Sequence, residues 1–304
     1  MPLTRRRFLA ISAAVAVASP ARATPIHQWR GVALGADASI TLAHDDAEAI
    51  VARALREIAR LERIFSLHDP DSALVRLNTM GRLDSPPFEL LECLGLAGAV
   101  HAATGGRFDP TIQPLWALYA EEYSAGRAPD AAAIAAVMER IGWQHLRLGP
   151  AAIEMRPGMA LSLNGIAQGY IADKVAALLR AEGLRDVLVN TGEFVALGGH
   201  PQGGAWSVSL NDGQRVIPDA LRLQDGALSS SSPHAITFDG AGTASHILDP
   251  RSGAPAPALW RLVTITAPRA ALADALSTAC CLMDRAAIVE TLAAFPGADL
   301  AFAV

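Results

Sequence analysis

The stretch Ala273–Thr278 (ADALST) follows a predicted strand, Leu262–Ala267, and lies in a predicted helix, Ala270–Met283. Its residues Asp274 and Thr278 are four positions apart, which on a helix places a carboxylate and a hydroxyl on one face, one turn from each other. Both groups are hard oxygen donors of the kind that Mg2+ prefers. The same spacing also suits an Asp that stabilises a helix N-terminus and a Thr that bonds a preceding carbonyl. The stretch therefore predicts either a metal site or an ordinary helix start.

The segments before this helix predict a mixed α+β fold. Amphipathic or apolar patterns indicate helices over Asp45–Phe65, Ala73–Asn78, Pro86–Thr104 and Pro129–Ile141, and a further helix that opens at Asn164–Tyr170 and runs to Glu182. Because the late strands follow one another without helices between them, we expect mostly antiparallel sheets with packed helices rather than a doubly wound sheet. The other predicted strands are Val32–Leu42, Leu146–Met155, Met159–Leu163, Val187–Asn190, Val195–Leu197, Ala205–Leu210, Ala220–Leu223, Ala227–Ser230 and Ala235–Phe238.

The composition is that of a folded domain. The chain has 304 residues, of which 51% are hydrophobic, enough for a sizeable core and too many for a disordered chain. The net charge of −5 argues against nucleic acid as a partner. Cys93, Cys280 and Cys281 lie in apolar helical contexts, and their odd number argues against a disulfide framework, so we expect buried free cysteines.

The first 23 residues are typical of an export signal. A twin-arginine pattern at Arg5–Arg7 precedes the apolar run Leu9–Ala18, and Ala21–Ala23 (ARA) suits a signal peptidase. We therefore predict a twin-arginine signal peptide over residues 1–23, a mature domain over residues 24–304 and a periplasmic location. The apolar run is too short to span a bilayer comfortably, so we expect no stable membrane insertion, with an uncleaved anchor as the alternative.

Three polar segments are candidates for chemistry. Asn164–Tyr170 is a glycine-containing turn into a helix, where free amides suit a phosphate and the Gly165 carbonyl could turn toward a cation, although an ordinary glycine-capped helix has the same pattern. His246 lies beside an Asp-Pro turn and could take a proton from a hydroxyl near neutral pH, or be a hydrogen-bonded structural residue. The run Ser229–Ser232 offers hydroxyls to a ligand, or is a polar strand end.

Five segments of the chain occur in an order that is typical of one family. They are Phe65–Ser72 (FSLHDPDS), Gly106–Thr111 (GRFDPT), Gly165–Tyr170 (GIAQGY), Ser245–Pro250 (SHILDP) and Ala273–Thr278 (ADALST). Together they resemble the ApbE family of FAD:protein FMN transferases over most of the predicted mature chain. The resemblance implies an ApbE-type, T-fold-like α+β domain.

The resemblance also implies a site. It implies Mg2+ bound by Asp274, Thr278 and the Gly165 carbonyl, with Ser277 adjacent as a further metal residue. It implies that His246 is the base that deprotonates the acceptor hydroxyl and that Asp274 is needed for catalysis. The implied FAD contacts are Leu34, Ser66, Tyr119, Gln168 and Leu248.

The implied reaction is the transfer of FMN from FAD to a Ser or Thr hydroxyl of an acceptor protein, with release of AMP. The chain departs from the usual family pattern at Ser162, at Gln168 and in the turn Thr191–Glu193. The form of its GIAQGY segment resembles the NosX branch, which implies a membrane flavoprotein of the nitrous oxide reductase system as acceptor. Alternatives are an FAD-binding electron-transfer protein, an FAD pyrophosphatase, and an assembly module that works through its surface.

Overall fold

A seven-stranded antiparallel sheet forms the centre of the protein in a computed structural model that describes residues 25–33 and 35–304. The strands are β1 Ile26–Ala33, β2 Ala36–Ala43, β3 Arg82–Asp84, β4 Arg147–Leu148, β5 Ala152–Glu154, β6 Val187–Asn190, β7 Phe194–Leu197, β8 Trp206–Asn211, β9 Val216–Leu223, β10 Gly226–Ser231, β11 Val263–Ala267 and β12 Asp299–Ala303. The central sheet has the order β1-β2-β6-β7-β10-β11-β12, and its neighbouring strands all pair antiparallel. Smaller sheets are β3-β5-β4 and β8-β9.

Helices pack on this sheet and form most of the core. They are α1 Ala47–Phe65, α2 Ala73–Met80, α3 Phe88–Ala103, α4 Gln113–Ser124, α5 Ala131–Met138, α6 Ala167–Ala181, α7 Ala270–Cys280 and α8 Arg285–Leu292. The predicted α+β class with mostly antiparallel sheets is therefore confirmed. Among the residues that the structure describes, no helix has both the length and the apolar character needed to cross a bilayer.

The hydrophobic spacing of α1 shows how the pattern leads to the packing. Its residues Ile50, Ala54, Ile58, Leu61 and Ile64 recur every three or four positions, and all of them are buried. This is the apolar stripe expected for a helix that covers a core. The helix begins two residues later than predicted and ends where predicted.

The two central elements of the core are α6 and α7. Every residue of α7 is buried except Thr278, which is half-buried. Alanines make up much of this helix, and their small side chains allow a close approach to its neighbours. The three cysteines are buried and free, as predicted.

Four predicted strands are wrong, and two of them, Leu146–Met155 and Val32–Leu42, each contain two strands that pair with each other. Val32–Leu42 is part of a hairpin of two strands, β1 and β2, and Gly35 lies in its turn with φ +78°. Met159–Leu163 is not a strand, because the side-chain amide of Asn78 bonds both the N–H and the carbonyl of Leu161 in place of a neighbouring strand.

The fourth wrong strand is Ala235–Phe238. It makes a single bridge, between Thr237 and Ser245. The chain turns back after it because the carboxylate of Asp239 accepts hydrogen bonds from the backbone amides of Thr243 and Ala244. The predicted signal peptide, residues 1–23, lies outside the described residues.

Candidate active site

The start of α6 and the middle of α7 approach each other closely enough to exclude side chains. A Cβ atom on Gly165 would lie 3.0 Å from Thr278 Oγ1 and 3.3 Å from a ring carbon of Phe108. A Cβ atom on Gly169 would lie 2.4 Å from the carbonyl oxygen of Ala270, a distance that real side chains do not reach. Gly169 is therefore required by contact, whereas a side chain at Gly165 would need Thr278 and Phe108 to move by a few tenths of an ångström. The Gly165 backbone lies beside the hydroxyl of Thr278.

Asp274 lies at the same junction. Its Oδ2 accepts a hydrogen bond of 3.2 Å from the backbone N–H of Gly169, and the residue is 3% exposed. Burial raises the pKa of Asp274 to about 8; the Gly169 amide opposes this effect and the charge of Asp173 adds to it. A buried carboxylate in such surroundings is stable when it holds a proton or faces a cation. This position therefore suits a bound cation.

A second buried acid, Glu193, faces the same region and is absent from the predicted site residues. Burial raises the pKa of Glu193 well above its ordinary value, and the charge of Asp274 raises it further. Hydrogen bonds from the Ser229 side chain and the Ser230 backbone oppose this shift. In the sequence Glu193 stands out only as the end of an unusual turn. Its burial is not visible there, because the neighbours that bury it come from β10 and α7.

Four hydroxyl groups connect β10 to α7. Ser277 Oγ donates to the carbonyl of Asp274 at 3.0 Å and lies 3.1 Å from Ser229 Oγ and 2.7 Å from Ser231 Oγ. In these two serine contacts either hydroxyl can be the donor. Ser231 Oγ also lies 3.4 Å from Thr278 Oγ1. Ser277 is thus enclosed by hydrogen bonds, whereas Thr278 is half-buried. A metal-ligand role for Ser277 stays a prediction.

Gln168 lies at the first turn of α6, beside the Thr191–Glu193 turn. Its side chain is 3.0 Å from the position of a Cβ on Gly192. The backbone carbonyl of Gln168 accepts a hydrogen bond of 2.9 Å from Thr191 Oγ1. Two of the three places where the sequence departs from the family pattern therefore contact each other. The side chain of Gln168 is half-buried at the edge of the junction.

His246 has a defined orientation. Its Nδ1 is 2.9 Å from the carbonyl oxygen of Ile236, and since a carbonyl can only accept, Nδ1 carries the hydrogen and Nε2 keeps a lone pair in the neutral ring. Burial lowers the pKa of His246, and the carbonyls of Ile236 and Pro233 oppose that shift. The ring is therefore neutral near pH 7 and able to accept a proton.

The histidine and the helix junction share one neighbourhood. Pro233, whose carbonyl faces the ring of His246, is two residues beyond Ser231 in the chain. Two residues of extended chain span at most roughly 7 Å. Because Ser231 lies beside Thr278, the base and the oxygen donors of α7 are brought to the same side of the molecule.

The loop before α4 contacts both the helix junction and the turn that follows His246. The ring of Phe108 packs against Gly165, and a Cβ on Gly106 would lie 3.9 Å from Cγ of Arg251 in the turn after His246. The carboxylate of Asp109 fixes the loop, because it accepts hydrogen bonds from the amide and the hydroxyl of Thr111 at 2.9 and 2.7 Å.

The remaining predicted FAD contacts have structural partners of their own. Tyr119 is 4% exposed, donates a hydrogen bond of 2.9 Å to the carbonyl of Gly253 and packs on the ring of Phe238, in a cluster that also buries Leu248. These residues hold the loop that carries His246. Ser66 accepts hydrogen bonds from two backbone amides at the end of α1. Flavin contacts at these positions stay predictions, and Leu34 lies outside the described residues.

Two further observations limit the kind of site. Over residues 25–33 and 35–304, no three His, Cys, Asp or Glu side chains converge on a possible metal position, so a cation at Asp274 would depend on hydroxyl and carbonyl oxygens. A cleft of about 790 Å3 lies elsewhere, between the end of α2, the start of α4 and the segment 154–160. None of the predicted site residues line it.

Fold and site together define an α+β protein with a group of oxygen donors at a helix junction and a half-buried histidine on the same side of the molecule. The model of the ApbE family matches residues 34–302. An FAD:protein FMN transferase from Treponema pallidum (strain Nichols) is 31% identical over 280 residues, which cover 82% of this chain and 76% of the relative. Another FAD:protein FMN transferase, from Klebsiella pneumoniae (strain 342), is 29% identical over 266 residues, with 82% and 74% covered.

A solved structure agrees with these relatives. The ApbE protein of Thermotoga maritima superposes with a TM-score of 0.79 at 26% sequence identity, and the match covers 90% of this chain and 93% of that one. The chain belongs to the ApbE family. This is a family of enzymes, and both relatives described above are FAD:protein FMN transferases.

Proposed function

We propose that the protein transfers FMN from FAD to a Ser or Thr hydroxyl of an acceptor protein and that it depends on Mg2+. The observation that carries this proposal is the junction of α6 and α7, where the Gly165 backbone, Thr278 and the buried Asp274 lie together. The names of the relatives support the flavin chemistry. His246, neutral and on the same side of the molecule, supports a reaction that begins with removal of a proton.

The residues at the junction fit Mg2+. The Asp274 carboxylate, the Thr278 hydroxyl and the Gly165 carbonyl are hard oxygen donors, which this ion prefers over nitrogen or sulfur. A Cβ at Gly165 would fill the space next to the Thr278 hydroxyl, so the backbone there is kept bare. When bound, the ion would neutralise negative charge on the diphosphate oxygens of FAD during transfer.

The chain's own residues supply the proton transfer. Nε2 of His246 takes the proton of the acceptor hydroxyl, and the oxygen forms a bond to the phosphorus on the FMN side. The bond between that phosphorus and the bridging diphosphate oxygen breaks, and AMP leaves with the bridging oxygen. The hydrogen bond from Nδ1 to Ile236 keeps Nε2 directed away from that carbonyl throughout.

Features of the sequence support a proposed partner and a proposed place of action. The N-terminal signal supports twin-arginine export and action in the periplasm, and the likeness of the GIAQGY segment to the NosX branch supports an acceptor in the nitrous oxide reductase system, a membrane flavoprotein. FAD contacts at Leu34, Ser66, Tyr119, Gln168 and Leu248 belong to the same proposal.

The proposal is tested by incubating the mature chain with FAD, Mg2+ and a candidate acceptor, and then measuring both flavin on the denatured acceptor and free FMN in solution. Covalent flavin on the acceptor supports it. Free FMN and AMP without labelling favour an FAD pyrophosphatase, and unchanged bound FAD favours an electron-transfer protein. A chain whose thermal stability does not respond to FAD contradicts all three and favours an assembly module.

A further inference from the structure

Helix α7 carries Asp274 and Thr278, yet its own sequence does not cap its start. Arg269 precedes the first turn, and its side chain makes no capping hydrogen bond. The first amides of a helix have no partner within the helix. Here Asp173 of α6 provides the acceptors: Oδ1 accepts from Ala270 N at 2.7 Å and Oδ2 from Ala271 N at 3.0 Å. One carboxylate on a neighbouring helix thus caps the helix that carries the site.

The two helices meet along matched rows of residues. On α6, Gly169 and Asp173 are four positions apart and so lie on one face. Gly165, in the turn before the helix, faces the same neighbour, α7. Gly165 contacts Thr278, Gly169 contacts Ala270 and Asp274, and Asp173 bonds the start of α7. The helices therefore run antiparallel, with the proposed cation ligands at one end of the contact and Asp173 at the other.

We infer that Asp173 is a positioning residue that sets the register of α7 against α6 and so places Asp274 and Thr278 relative to the Gly165 carbonyl. This inference rests on the proposed Mg2+ site. A helix advances about 1.5 Å per residue, whereas metal–ligand distances tolerate only about 0.2 Å. A small slide of α7 would separate the ligands without unfolding the helix.

Further contacts hold the Asp173 carboxylate in place. Arg269 lies between two acids, with Nε 3.7 Å from Asp173 Oδ2 and Nη2 3.7 Å from Glu92 Oε1. Glu92 is in turn held by Lys174, whose Nζ lies 2.6 Å from Oε2, and by the hydroxyl of Tyr170 at 2.5 Å. The start of α7 is therefore bound to α6 and α3 by oriented polar contacts.

The test compares Asp173→Asn with Asp284→Asn in the mature chain. Asp284 caps α8 by accepting from Ala287 N at 2.8 Å, and α8 carries none of the predicted site residues. The measurements are the dissociation constant for Mg2+ alone, by titration calorimetry without FAD, and the melting temperature without metal. We expect Asp173→Asn to weaken Mg2+ binding by about 10- to 100-fold, as supporting residues of metal sites do. Asp284→Asn should lower the melting temperature and leave Mg2+ binding unchanged.

A second variant keeps the test decisive if Asp173→Asn does not fold. The hydroxyl of Asp173→Ser can still accept from one amide, and we expect weakened Mg2+ binding in a folded protein. Wild-type binding of Mg2+ by folded Asp173 variants would overturn this inference alone. A wild-type chain that binds no Mg2+ would overturn the proposed metal site and this inference with it.

Discussion

The backbone N–H of Gly169 donates to Oδ2 of Asp274 at 3.2 Å, across the contact between α6 and α7. This bond joins the glycine-bearing turn and the ADALST stretch, which are about a hundred residues apart in the chain. It depends on the absence of a side chain at position 169, since a Cβ there would collide with the backbone of Ala270. The site therefore depends on the close approach of the α6 and α7 backbones as well as on its polar side chains.

Gly169→Ala should separate α6 from α7. The added methyl would lie 2.4 Å from the Ala270 carbonyl oxygen, so the helices must move apart, which typically costs about 1–3 kcal/mol of unfolding free energy. Flavin transfer and Mg2+ affinity should both fall. The matched control is Gly95→Ala in α3, where nothing lies within 4 Å of the added Cβ. That change should stabilise the protein by about 0.4–1 kcal/mol. Denaturant unfolding of both variants checks the pair, and equal effects would contradict the contact.

Thr278→Val and Ser277→Ala should distinguish the roles of two neighbouring hydroxyls in Mg2+ binding and in stability. Thr278→Val keeps the shape and removes the half-buried hydroxyl oxygen beside Gly165, so Mg2+ affinity should fall by about tenfold or more. Ser277→Ala leaves Ser229 and Ser231 without their shared partner and should cost about 1–3 kcal/mol of stability, with a smaller effect on Mg2+. Calorimetric titration with Mg2+ and thermal unfolding distinguish the two. The reverse order of effects would make Ser277 the ligand.

The rate of transfer should fall at acidic pH with a midpoint below about 6.5, the ordinary pKa of a histidine. Burial lowers the pKa of His246, so its basic form persists to lower pH than in a free side chain. The unfolded chain binds this proton more readily than the folded one, so His246 lowers stability as pH falls through about 6.5. Single-turnover rates from pH 5 to 8 test this, and His246→Gln should lose both the activity and its acid limb. An unchanged profile in that variant would exclude His246 as the base.

Tyr119→Phe should show whether the hydroxyl of this proposed FAD contact supports the loop at Gly253 or touches the flavin, while the ring stays in place. The change keeps the ring that packs on Phe238 and removes the hydrogen bond to the Gly253 carbonyl. We expect a loss of about 1 kcal/mol in stability, and FAD affinity within twofold of the wild type, measured by flavin fluorescence. A large loss of FAD affinity at unchanged stability would instead place the hydroxyl against the flavin.

The sequence predicts most helices because their apolar spacing is regular, as in α1. It fails where backbone groups are satisfied by distant side chains: the amide of Asn78 completes the hydrogen bonds of Leu161, and no local pattern reveals this. The four-residue spacing of Asp274 and Thr278 is visible in the sequence, but it cannot exclude an ordinary helix. The roles of Glu193 and Asp173 depend on neighbours far along the chain, so they emerge only from the fold.

The most direct test of the account is a crystal structure of the mature chain with FAD and Mn2+ in place of Mg2+, with anomalous scattering used to locate the metal. We predict one strong anomalous peak between the Asp274 carboxylate, the Thr278 hydroxyl and the Gly165 carbonyl, next to the diphosphate of FAD. FAD bound with no metal at this junction, or metal bound only elsewhere, would contradict the account.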